Sequence, residues 1–250
     1  MAAVRHSRTS RAWLISSHSS KRGDFVRIMA AMSTAALIKI FNLDCTRCAR
    51  LSGFLREVRA DYPAYHGRPV PPFGAADARL LVVGLAPGMH GANASGRPFT
   101  GDHAGILLYA TLHAFGFATA AVSVARDDGL ELIDCRINNA VKCLPPANKP
   151  TPAEVRECNT YLDADLARVP VNGVVIALGQ IAHGAVLRAL QLRARDFKFG
   201  HGAQHGLPVR GLTLLDSYHC SRYNTHTRRL TTPMFEAVFA QAARLLGTRR

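Results

Sequence analysis

No stretch of the 250 residues is apolar for long enough to span a bilayer, which takes about 20 residues, and nothing in the chain reads as a membrane anchor. No secretory leader with an apolar core and a small-residue cleavage site opens it, and a chain of this length needs no disulfide staples, so its six cysteines point to a reducing compartment. Internal repeats and long linkers are missing too, which leaves one main domain as the simplest organisation. Acidic residues are scarce: 17 Asp and Glu stand against 31 Lys and Arg, for a net charge of +14. That excess favours polyanionic partners, nucleic acid first, because each neutralised phosphate releases counterions. With 48% hydrophobic and 19% charged residues the chain is too apolar to be disordered as a whole.

Part of the charge is local. Residues 1–33 carry Arg5, Arg8, Arg11, Lys21, Arg22 and Arg27 against Asp24 alone, so 6 − 1 = +5 belongs to this leader and 14 − 5 = +9 to the remainder. The leader lacks periodicity and contains Met29 and Met32, which fits a disordered basic arm, a transit-like segment or a start placed upstream of the true initiator. Residues 34–250 form the expected domain. From about residue 77 apolar runs alternate with helical stretches, the pattern of parallel strands joined by crossover helices. The expected strands are Leu80–Leu85, Ile133–Val141, Val174–Leu178 and Leu212–Tyr218, with helices near 103–116, 152–169, 180–193 and 233–246. Thr151 followed by Pro152 and Glu154 marks a helix start.

Four cysteines fall into two short segments: Cys45 and Cys48 in a C-x-x-C spacing, and Cys143 and Cys158 flanking a Pro-Pro turn and the helix it opens. Stiff segments that each deliver thiolates suit a single four-thiolate metal site, which either zinc or an iron–sulfur cluster satisfies. Cys135, inside an expected strand, reads instead as a small buried hydrophobe.

Parallel sheets bind ligands at the carboxyl ends of their strands, which selects the loops 84–105 and 217–231. Three ordered blocks carry a family likeness: G-L-A-P-G…G-R-P-F-T-G-D at 84–102, N-A-V-K-C-L-P-P-A-N-K-P-T-P-A-E…C at 139–158, and S-Y-H-C-S-R-Y-N-T-H-T-R-R-L-T at 217–231. Together with the upstream C-x-x-C they resemble the uracil-DNA glycosylase superfamily, in its iron–sulfur branch and, within that, the B-type or family 5 enzymes. The likeness runs from about Phe41 to Leu246. Cys220, after the motif histidine, departs from it, since many family members have another residue there.

The resemblance implies a three-layer α/β/α fold with a four-stranded parallel sheet and a [4Fe–4S] cluster on Cys45, Cys48, Cys143 and Cys158, zinc being the alternative. It further implies base excision repair: hydrolysis of the N-glycosidic bond of uracil, and of other deaminated bases, in single- or double-stranded DNA by a monomer. A bacterial source would make the protein cytoplasmic and nucleoid-associated, and the leader leaves organelle targeting as an alternative. The rival reading is a non-enzymatic damaged-DNA-binding protein on the same scaffold.

Chemistry on a base inside a duplex requires extruding the nucleotide into a pocket. Gly84 and Phe99 would form the wall on which the base stacks, and Asn139, an amide that both donates and accepts, would read its edge. His219 would donate to the departing base, and Asp102 would position water or stabilise the sugar, unless it only caps the helix starting at His103. Leu85 occupies the position at which the related A-type enzymes carry a glutamate, so the burden shifts to Asp102 and the pocket should discriminate less. Asn93, Arg222, Tyr223, Asn224 and Arg228 are the expected DNA contacts, with Lys149, Arg193, Arg195 and Lys198 adding unspecific phosphate attraction. Neither strand-end loop contains a lysine, which predicts a glycosylase without strand-cleaving activity.

Overall fold

The computed structural model describes residues 41–248, so the expected leader at 1–33 lies outside the described residues. Six strands form one sheet in the order β1-β3-β2-β4-β6-β5: β1 Phe73–Gly74, β2 Leu80–Gly84, β3 Cys135–Asn139, β4 Val174–Leu178, β5 Gln204–Gly206 and β6 Thr213–Ser217. The four expected strands are the parallel centre, with Leu80 level with Cys135 on one side and with Val174 on the other, and Val174 level with Thr213. The sheet is wider than expected because β1 and β5 add antiparallel edges. These edges have two and three residues, too few for an alternating pattern to register in sequence. The second strand is also shorter than the expected Ile133–Val141, beginning at Cys135 and ending at Asn139.

Every β2 and β4 residue is buried, as strands covered on both faces must be. Their side chains alternate between two cores. Leu81, Val83, Val175 and Ala177 pack under α1 (Ala49–Asp61), α4 (Pro152–Leu166) and α5 (Gln180–Ala189), while Leu80, Val82, Val174 and Ile176 pack under α3 (His103–Ala114) and α7 (Thr232–Leu246). Helix α1 was absent from the sequence expectation, although Leu51, Leu55 and Val58 line its buried face at helical spacing. Two short helices, α2 (Ala92–Ser95) and α6 (Arg222–His226), interrupt stretches expected to be loops. No helix among the described residues is long and apolar enough to cross a membrane.

Helix α4 begins as its sequence demands. Thr151 Oγ1 accepts from the Glu154 N–H at 3.2 Å, Glu154 returns a bond to the Thr151 N–H at 2.7 Å, and Pro152 takes the first helical position. Such a box stabilises a helix start by about 1 kcal/mol. Strand β2 is flanked by β3 on one side and β4 on the other, so the crossovers diverge at its carboxyl end, where such sheets open a crevice.

Candidate active site

The crevice is a cavity of about 390 Å³ whose walls include Leu85, Phe99, Asp102, Asn139, His219 and Arg222. Residues from three strand ends and the 84–105 segment thus meet where the sequence placed them. Gly84 ends β2 beneath them. A Cβ there would stand 2.5 Å from Phe99 Cζ and would also strike Asn139 Oδ1, so only glycine lets the ring and the amide close over this strand.

Phe99 is buried with a left-handed backbone, φ 55°, a costly state for an aromatic residue that persists only where the surroundings impose it. The surroundings do. On one side Tyr109 Oη donates to the Pro98 carbonyl at 2.8 Å; on the other, buried Arg97 donates to Thr100 Oγ1 at 2.9 Å and pairs with Asp128 at 2.6 Å. The guanidinium also lies over the Phe73 ring, 4.9 Å from its centre. Arg97 and Asp128, which sequence reasoning did not single out, therefore act through Phe99, presenting its ring at a fixed angle. Its face lies 6.0 Å from the His219 ring at an interplanar angle of 28°.

Asn139 ends β3. Its N–H is held by Asn138 Oδ1 at 2.8 Å and its carbonyl by Lys142 Nζ, while its own Oδ1 is buried without a hydrogen-bond partner. An orphaned acceptor in a cavity wall costs about 1–3 kcal/mol and is retained where a ligand supplies the donor. His219 has the reverse character. Burial pushes its ring down to about 4, so at neutral pH it is an uncharged imidazole able to donate one hydrogen bond.

Asp102 caps a helix and also lines the cavity. Its Oδ1 accepts from the Gly105 N–H at 2.9 Å and caps α3, while Oδ2 lies toward the cavity residue Gly88. Burial raises this carboxyl above its ordinary value, and the backbone N–H groups of Gly105 and Ala104 limit the rise. Gly91 makes room for it, since a Cβ there would come within 2.8 Å of Oδ2.

One expected DNA contact is corrected and another has a structural partner as well. Asn93 is 0% exposed; its N–H bonds the Gly88 carbonyl at 3.0 Å and its own carbonyl accepts from Gly67 at 3.1 Å, so it ties the loop together beneath the surface. Asn224 Nδ2 donates to the His219 carbonyl at 2.8 Å and fixes the backbone of the motif histidine. Arg222, Tyr223 and Arg228 are exposed, as DNA contacts require, and Arg222 lines the cavity itself. Asn148, in a turn where it and Ala147 both have positive φ, and His103, 3.0 Å from Thr225 Oγ1, also line it and had no expected role. Of the further cations, Arg193 is tied to Asp196 at 2.9 Å.

Cys45, Cys48, Cys143 and Cys158 converge on one compartment that shares no wall residue with the reaction cavity. Burial pushes the Cys48 thiol up to about 11 and that of Cys143 up to about 12, and in both the neighbouring cysteines add to the rise. Cys158 is raised by burial as well. Burial opposes ionisation of Cys45 too, yet hydrogen bonds involving Tyr161 and Arg47 leave it below its ordinary value. Burial and mutual repulsion keep Cys48, Cys143 and Cys158 as thiols, and a bound cation would favour the thiolate forms that these effects disfavour. Cys135 and Cys220 are buried, away from this group.

The chain matches the sequence pattern of the Uracil DNA glycosylase superfamily over residues 71–243 and belongs to that superfamily. Within it, the chain is 46% identical over 208 residues to a Type-5 uracil-DNA glycosylase of Thermus thermophilus, covering 81% of this chain and 94% of the relative. It is 41% identical over 205 residues to a protein of the same name from Pyrobaculum aerophilum, covering 80% and 88%. A Type-4 uracil-DNA glycosylase of Archaeoglobus fulgidus is 37% identical over 114 residues, 45% of this chain and 49% of the relative.

Proposed function

We propose that the protein hydrolyses the N-glycosidic bond of uracil in DNA and leaves an abasic site. The observation that carries the reading is the unpartnered Asn139 Oδ1 beside the Phe99 ring, in one cavity with a neutral His219. Uracil offers an imino N–H where cytosine has a bare ring nitrogen, so an acceptor at this point favours the deaminated base. With the base stacked on Phe99, His219 donates to the carbonyl oxygen that gains negative charge as the bond lengthens. Asp102, anionic and held by its cap to α3, orients water and offsets the positive charge growing on the sugar. Arg222, Tyr223 and Arg228 hold the flanking phosphates and fill the gap left by extrusion. A damaged-DNA binder without activity is not favoured, because it has no use for Asp102, Asn139 and His219 around one cavity.

The substrate range extends to other deaminated bases in this reading, supported by the cavity volume and by apolar Leu85 in its wall. Incubation with oligonucleotides that each hold one damaged base, followed by alkali, tests it. Strands should stay full length until alkali is added, and borohydride should trap no covalent adduct. The nearest candidate amine, Lys142, is 1% exposed with its ammonium group on the Asn139 carbonyl, out of reach of a sugar. An adduct that vanishes in Lys142→Ala would make the enzyme a lyase. The net charge of +14 suits a DNA-associated protein, which in a bacterium would be cytoplasmic and nucleoid-associated.

We further infer that the four cysteines hold a [4Fe–4S] cluster. Four thiolates would satisfy zinc as well as a cluster, and what favours the cluster is the likeness of the two cysteine-bearing segments to the iron–sulfur branch of the superfamily. The Lys142 N–H already donates to Cys158 Sγ at 3.3 Å, the kind of bond that tunes a cluster thiolate. Bound there, the cluster supplies a cross-link between the start of α1, the turn after β3 and α4, and the residues around the reaction cavity perform the chemistry. Purified protein should be brown with about four irons per chain, and Cys143→Ser should lose the iron together with thermal stability. Colourless protein with stoichiometric zinc would sink the cluster and leave the glycosylase reading standing.

A further inference from the structure

A second cavity, of about 480 Å³, opens beside the first, and Asp102, His103 and Arg222 belong to the walls of both. It is lined by large aliphatic side chains that no described residue covers. Ile106 on α3 and Val122 and Val124 in the segment between α3 and β3 are 69%, 66% and 67% exposed. Single exposed aliphatics are ordinary, but three within one concave surface mark an interaction site.

Their exposure is built into the fold. Ser123, between the two valines, is anchored inward: Arg97 Nη2 donates to its Oγ at 2.5 Å, Thr100 Oγ1 lies 2.6 Å from the same atom, and its carbonyl accepts from the Gly101 N–H at 3.4 Å. Asp128, paired with Arg97, accepts from the N–H groups of Val124 at 2.9 Å and Ala125 at 3.2 Å. In an extended run the neighbours of an inward side chain face the other way, so pinning Ser123 turns Val122 and Val124 to solvent. The Arg97 that sets the Phe99 backbone therefore also holds this shelf.

We propose that the shelf receives the base of the nucleotide adjoining the extruded one in the same strand, with the phosphate between them held at Arg222. The inference rests on the glycosylase reading above. The base cavity, a cation and an aliphatic shelf form the complement of base, phosphate and base, and Arg222 is the cation common to both walls. The aliphatic floor provides no hydrogen-bonding group, so it takes the face of any base without reading its identity. A neighbour seated there has left its own stack and pairing partner, which favours single-stranded or locally opened DNA.

The test measures affinity of the full chain for single-stranded oligonucleotides containing 2′-fluorinated deoxyuridine, which resists hydrolysis. The neighbour on either side is adenine or an abasic spacer. For the wild type, removing the base on one side should weaken binding roughly three- to tenfold, because one base face no longer covers the aliphatic floor, and removing the other should not. In Val122→Ser/Val124→Ser, and independently in Ile106→Ser, that difference should shrink to about twofold or less, as a double-mutant cycle requires of a direct contact. All three side chains are exposed, so the variants keep the fold, and both should release uracil from the spacer-flanked strand at the wild-type rate. Wild-type affinity indifferent to both neighbours, or a dependence that survives in both variants, overturns the proposal. Self-association that the variants abolish in sedimentation would assign the shelf to a second copy of the chain and overturn it too. Absence of uracil release would defeat the glycosylase reading alone, since the binding series decides the shelf without it.

Discussion

Alanine at His219 should slow uracil release by roughly 10²–10³-fold at saturating enzyme, the usual loss for one donor aimed at developing charge, while DNA affinity changes little. The reason is timing: the bond from the imidazole gains strength only as the base becomes negative. Because burial places the ring near 4, His219 stays neutral from mildly acidic to alkaline pH and contributes no titration there. Asp102 does contribute. Its working form is the anion and its carboxyl is raised above the ordinary value, so the rate should fall as pH drops through that raised value. The acid limb should persist in His219→Ala and disappear in Asp102→Asn. Single-turnover rates across pH check both statements, and an alanine variant with wild-type release would remove His219 from the catalytic set.

Gly84→Ala should be nearly as damaging although glycine has no chemistry of its own. A methyl group there would lie 2.5 Å from Phe99 Cζ and against Asn139 Oδ1, so the ring and the amide must part. Displacing bound reactants by about 1 Å costs on the order of 10²-fold in rate, and overpacking a site costs roughly 1–3 kcal/mol of stability. The expected result is a folded protein with a lowered melting temperature and release slowed by about 10²-fold or more. Near-normal release would mean that the base does not stack over this strand end.

The location of the candidate site was the most legible part of the chain. Gly84, Phe99, Asp102, Asn139 and His219 could be singled out because they stand in strand-end blocks that resemble a known family, and the structure gathers them at one cavity. The central strands were legible for a different reason: runs such as Leu80–Val83 and Val174–Leu178 are apolar throughout, which only a doubly covered strand tolerates. What escaped is what depends on direction. An asparagine in a loop can face DNA or the protein interior, and nothing in the sequence around Asn93 says which; it is buried. Arg97 lies in a glycine-rich strand-end loop where arginine ordinarily meets solvent or phosphate, and its burial beside Asp128 depends on a segment 31 residues away. Val122 and Val124 are exposed through Ser123, whose anchors Arg97 and Thr100 come from a different loop.

Arg50 on α1 grips Glu154 on α4 through two bonds, at 2.8 and 2.7 Å, and Glu154 is at the same time part of the box that starts α4. The helix that begins just after Cys48 is thereby tied to the helix that carries Cys158 by contacts that involve no sulfur. The polypeptide thus brings the four-thiol compartment together through ionic and capping contacts of its own, so its two halves stay joined independently of whatever the thiols bind.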